Sequence, residues 1–119
     1  MSLVNVALQQ FLNLPTFDNQ VSTAINTQTG APVLVGQKNR MTAGSTTQSF
    51  CLESIITGEA SQDIVWVIND SPGAVNIFPA VGENQNGVAN ASLSIAAGRA
   101  GVFVRSKNPS PDWRSAVIT

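Results

Sequence analysis

From Ile64 to Trp113 the chain is a succession of apolar runs of strand length, IVWVIN, AVNIF, SLSI and VFV. Gly, Pro and Asn separate them, and almost no charge interrupts the runs. Short apolar runs between turn residues describe a β domain and leave little room for amphipathic helices. The run at residues 64–69 is unbroken, with Trp66 at its centre, as expected of a central strand covered on both faces. Pro72-Gly73 reads as a turn, with Pro setting φ and Gly taking the left-handed position. Residues 74–78 are the return strand, and Pro79 confines its end to a sheet edge. Asn86-Gly87 marks a tight hairpin turn. Residues 92–95 alternate polar and apolar, Gly98 and Gly101 flank a turn into 102–105, and 113–118 close the domain.

Ahead of this block, residues 48–56 form the first body strand, and residues 31–35 a short strand ending at Gly36. Polar turns are expected through Lys38, Asn39 and Arg40 and again through residues 43–46. About seven short strands at this spacing predict an all-β protein, an antiparallel β-sandwich or jelly-roll-like body. A length of 119 residues suits one such domain with a real core.

The first part of the chain differs. Residues 1–37 carry a single charge, Asp18, and no Lys or Arg. Val4, Ala7, Leu8, Phe11 and Leu12 fall at i, i+3, i+4, i+7 and i+8, one apolar face of a helix about three turns long. Ser2 caps its start and Pro15 stops it. Leu3, Val4 and Val6 also tolerate an extended arm, so both forms stay open. Residues 19–30, rich in Asn, Gln, Ser and Thr, read as an arm or loop. The expected division is therefore an N-terminal arm or oligomerisation segment over 1–40 and a β body over 41–119. A short helix is marginal alone in water, so the arm must pack on the body, on a sister copy or on another protein.

Charged residues make up 11% of the chain against about 25% in typical domains, while hydrophobic residues reach 43%. A surface of uncharged amides and hydroxyls suits a chain covered by copies of itself or by a partner. The net charge of −1 offers no field for nucleic acid. Four of the six cations, Arg99, Arg105, Lys107 and Arg114, follow residue 98, whereas most acids precede them. No stretch resembles a secretory signal, and none approaches the ~18 apolar residues of a membrane span.

Histidine and tyrosine are absent, which removes the commonest general base and metal ligand. The seven carboxylates are scattered, and no phosphate-cradling loop is present. The run from Ala97 to Gly101 reads as a hairpin turn, and Glu83 alone is too little for a Ca²⁺ cage. Cys51, the single cysteine, sits between Phe50 and Leu52 and reads as a buried hydrophobe. The expectation is a non-enzyme with no catalytic residues, cofactor or metal. Trp66 reads as core. Trp113, after a Pro-rich loop, reads as a subunit contact, with glycan stacking as the lesser alternative. The candidate interface is Leu3, Val4, Leu8, Phe11, Leu12, Phe17 and Trp113.

One combination of motifs carries a resemblance. Asn69, then the strand Ala74-Val75-Asn76-Ile77-Phe78-Pro79-Ala80, then Gly82, Asn86-Gly87, Ala97-Gly98, Phe103 and Trp113 follow in that order. This pattern over residues 64–113, a little under half the chain, resembles a recurrent domain of tailed-bacteriophage virion proteins. Residues 1–45 share in no such likeness. The resemblance implies a role in the virion as a capsid decoration (cement) protein. The alternative is a tail, baseplate or head-fibre component, with a host glycan as a further ligand. It also implies a homo-oligomer, commonly a trimer, contacting the major capsid protein or another virion protein. Such a chain would be made in the host cytoplasm and end in the virion, without nucleic acid or membrane as partner.

Overall fold

In the computed structural model, residues 12–44, 47–56, 63–106 and 111–118 are described. Through residue 78 the chain changes sheet with every strand. The strands are β1 (Thr16–Phe17), β2 (Val33–Leu34), β3 (Lys38–Met41), β4 (Gln48–Leu52), β5 (Ile64–Asn69) and β6 (Val75–Phe78). The odd-numbered strands enter one sheet and the even-numbered ones the other. A strand that returns to its sheet after a visit to the other one points the same way as its predecessor. Hence β1–β3, β3–β5, β2–β4 and β4–β6 are all parallel pairs. Parallel neighbours need a long crossover, and here a strand of the opposite sheet supplies it.

Further along the chain most pairings are antiparallel. β7 (Asn84–Gln85) and β8 (Val88–Ala89) form a hairpin, and β9 (Leu93–Ile95) pairs back onto β6. β10 (Arg99–Ser106) fills the gap between β5 and β11 (Asp112–Ile118), although β11 pairs with β7 in parallel. Among the described residues the result is a seven-stranded sheet, β1-β3-β5-β10-β11-β7-β8, and a four-stranded sheet, β2-β4-β6-β9. The all-β expectation holds, and the two layers are compatible with a β-sandwich. The wholly antiparallel arrangement does not hold, because both sheets are mixed. Its failure has a physical cause: the turn signals mark where strands end but not which sheet the chain enters next.

The inner faces meet in one core. Met41, Val65, Val67 and Phe103 come from the large sheet, and Leu34, Phe50, Leu52, Val75, Ile77 and Ile95 from the small one. Gly101 lies under Ile95, whose Cδ1 would stand 2.6 Å from an added Cβ, so the absent side chain lets β9 close onto β10. Asn86 (φ 51°) and Gly87 (φ 82°) both lie in the left-handed region, the type I′ geometry expected of an Asn-Gly hairpin. Gly73 stays outside that region. The bend at Pro72 is held instead by the Asn69 side chain, which accepts from Ser71 N–H at 3.1 Å and donates to Gly73 O at 2.8 Å.

The expected division near residue 40 has no counterpart in the pairing. β3 runs through it, and Leu34 of β2 belongs to the core. Residues 19–30 are bonded along the body: Gln20 N–H donates to Arg40 O, Asn26 N–H to Thr47 O, and Gln28 Nε2 to Pro79 O at 2.7 Å. The helix expected over Val4 to Leu12 lies outside the described residues except for Leu12.

Buried amides fasten these loops. Asn39 donates to Gly36 O and Trp66 O, and Gln48 donates to Ala43 O while accepting from Ser22 N–H. Gln85 donates to Ile77 O and Ala91 O. Their hydrogen-bonding groups replace the backbone partners that irregular segments lack, which is how uncharged polar residues come to lie inside.

Candidate functional site

Strand parity divides the large sheet into an inner and an outer face. Val65 and Val67 of β5 turn inward, so Ile64, Trp66 and Ile68 turn outward. On β10, Gly101 and Phe103 are buried, leaving Ala100, Val102 and Val104 outside. On β11 the outward set is Arg114, Ala116 and Ile118. Register aligns these residues in rows. Trp66 stands opposite Val102, and Val102 opposite Ala116; Ile68, Ala100 and Ile118 form the next row, and Ile64, Val104 and Arg114 the third. Three adjacent strands therefore carry apolar side chains on both sides, while the core accounts for only one. Ile64, Val104 and Ile118 remain 36%, 42% and 45% exposed.

Charge borders this stripe on β3 and enters it at one corner, Arg114. Arg40, in register with Ile68, pairs with Asp70 at 2.7 Å and Asp18 at 3.5 Å. The hydrogen bond to Asp70, together with its charge, holds the guanidinium still more firmly protonated. Arg114 Nε lies 2.8 Å from Asp112 Oδ2, an ion pair that lacks the alignment of a hydrogen bond. Both of these guanidiniums are thus paired with carboxylates.

Sheet edges offer less. The large sheet ends in β1 and β8 and the small one in β2 and β9, none longer than three residues. Such blunt edges give a neighbouring strand few backbone groups to pair with.

The candidate residues named from sequence separate into three groups. Leu3, Val4, Leu8 and Phe11 lie outside the described residues. Leu12 and Phe17 are 62% and 45% exposed, at the entry to β1 and on it. Trp113 is 1% exposed and packs in the core, so it offers no surface to a subunit contact or a glycan. Trp66, read as core, stands instead on the outer face, half-buried. The two tryptophans exchange roles because β11 enters with Trp113 inward, while register with Phe103 and Gly101 fixes Val65 and Val67 as the inward residues of β5. Sequence reading missed the stripe, although its signal was present. The unbroken runs at 64–68, 102–104 and 116–118 each supply two apolar faces.

Chemistry-bearing groups are dispersed. Among the described residues no three His, Cys, Asp or Glu side chains gather as metal ligands. Glu83, 4% exposed, accepts from Ile55 N–H at 2.8 Å and from Ser54 Oγ, which latches the end of β4 to the loop before β7. A half-open cavity of about 290 Å³ lies beside β2, lined by Gln28, Val33, Cys51, Leu52 and Val81 among others. Burial raises the Cys51 thiol pKa. Its thiolate is thereby disfavoured in the fold but free to form in the unfolded chain. Stability is accordingly expected to be unaffected well below the ordinary pKa of 9.0 and to fall as pH rises past it. Urea titrations at several pH values check this, and Cys51→Ala should remove the added alkaline slope.

Fold and surface together define a two-sheet, all-β protein with one apolar face turned outward. No family model, no curated protein and no solved structure matches the chain.

Proposed function

We propose that this chain is a non-enzymatic structural protein of a tailed-phage virion, a capsid decoration protein that binds the outer shell as a homo-oligomer and stabilises it. The observation that carries the reading is the outward stripe on β5, β10 and β11. Apolar residues in three registered strands face outward, where docking of a neighbour removes them from water. Each square ångström so removed contributes roughly 25 cal/mol. A single contact can therefore be weak, while a lattice of repeated copies gains through multivalency. The motifs between Asn69 and Trp113 that resemble phage virion domains support the same role, as does the low charge of the surface. A trimer of jelly-roll-like bodies is the assembly that this resemblance implies.

Adding purified protein to shells that lack it tests the proposal. The expected result is saturable binding over the whole head and greater resistance of the decorated shells to heat. Absence of binding would overturn it. Labelling confined to the vertex or tail would overturn the decoration role in favour of a tail or fibre component.

A further inference from the structure

We propose that the outward stripe of the seven-stranded sheet is the seat for residues 1–11 of a second copy of this chain. The inference rests on reading that face as a docking surface and adds the identity of what docks there. Residues 1–11 contain no charged side chain and bring Leu3, Val4, Ala7, Leu8 and Phe11. They lead into β1, the edge strand of the same sheet, where Thr16 shares a row with Lys38 and Trp66.

Size fits as well. Three rows of alternate residues extend about 13 Å along the strands, and three strands lie about 10 Å across. Eleven residues span about 16 Å as a helix, and about 36 Å at most when extended. Either form covers the stripe.

The described end of the segment says which copy it serves. Leu12 completes the apolar series begun at Val4, yet it is 62% exposed, and Phe17 just beyond is 45% exposed. Leu12 is thus turned away from the body just before the chain enters β1, whereas Phe17 lies over Gly36. The stripe is left partly in water by the described residues, and the segment brings a second apolar surface; an exchange between copies covers one with the other. Blunt sheet edges leave little competing route by edge pairing. Each copy then has one segment to give and one face to receive, a head-to-tail contact that closes as a reciprocal pair or a ring.

Complementation between two full-length variants tests this. Leu8→Asp with Phe11→Asp disables the segment and keeps the face, whereas Val104→Glu disables the face and keeps the segment. Ala116→Glu, also outward, serves if Val104→Glu does not fold by circular dichroism. Wild type is expected to sediment as a closed oligomer and each variant alone as a monomer. An equimolar mixture should yield a species of twice the monomer mass. A monomeric wild type, a mixture that stays monomeric, or a segment variant that associates like wild type would overturn the proposal. No particle enters the experiment, so its failure is separate from failure of the virion role: a monomer that still decorates shells keeps that role and loses this contact.

Discussion

Trp113→Ala is expected to cost about 3–5 kcal/mol of folding stability, and Trp66→Ala markedly less. Trp113 is the largest fully buried side chain, so its removal loses transfer energy and leaves a cavity between the sheets. Against a typical total of about 5–15 kcal/mol, that loss brings a small domain close to unfolding. Trp66 lies half-buried on the outer face, where truncation opens no internal void. Its loss should appear in association instead. Trp113→Phe should fall between alanine and the parent, because it also removes an indole N–H that has no hydrogen-bond partner among the described residues. Urea denaturation reads all three as shifts in midpoint at unchanged slope. A larger loss for Trp66→Ala than for Trp113→Ala would mean that the faces of the large sheet are assigned the wrong way round.

A second large effect is expected at Asn69. Its side chain donates to Gly73 O and Ile95 O, both at 2.8 Å, and accepts from Ser71 N–H and Ser71 Oγ. Asn69 is fully buried, so Asn69→Leu keeps the volume but takes its side-chain partner from Ile95 O, Ser71 N–H and Ser71 Oγ, while Gly73 O keeps Ser71 Oγ at 3.1 Å. At about 1–3 kcal/mol for each buried orphan, the combined loss should reach about 3 kcal/mol or more. Ser71→Ala removes one donor only and should cost less. Calorimetry gives the loss, and faster amide exchange at Ser71 should localise it. A variant as stable as the parent would show that the Pro72 bend holds without this clamp.

Much of the β character was legible because it is written locally. The Asn86-Gly87 pair encodes a turn through the two residues that must adopt positive φ, and residues 64–69 appear as a strand with the bounds expected. Other features depend on partners far away in sequence. Lys38, Asn39 and Arg40 were read as a polar turn, yet they lie in β3, where Asn39 is buried on its hydrogen bonds and Arg40 is held outside by Asp70. The Asn- and Gln-rich stretch after Asn19 read as an arm or loop, and its bonds to β4 and Pro79 O tie it to the body. Alternation could not resolve β5, since apolar residues occupy both parities; only its register with β10 decides that Val67 faces in and Trp66 out. The candidate site was missed for that reason. Covering on both faces was expected within one chain, and the described residues supply only the inner half of it.

The alternation of β1 to β6 between sheets also governs how the polypeptide is made. No two of these strands that are consecutive in the chain lie side by side, so each pairing among them waits until a strand of the other sheet has been made. β5 receives its second neighbour only when β10 has been made. Until then its apolar residues have no finished sheet to enter, and the nascent chain is most open to capture by chaperones or to aggregation. Completion of the last two strands is the event that turns a long exposed precursor into a folded subunit.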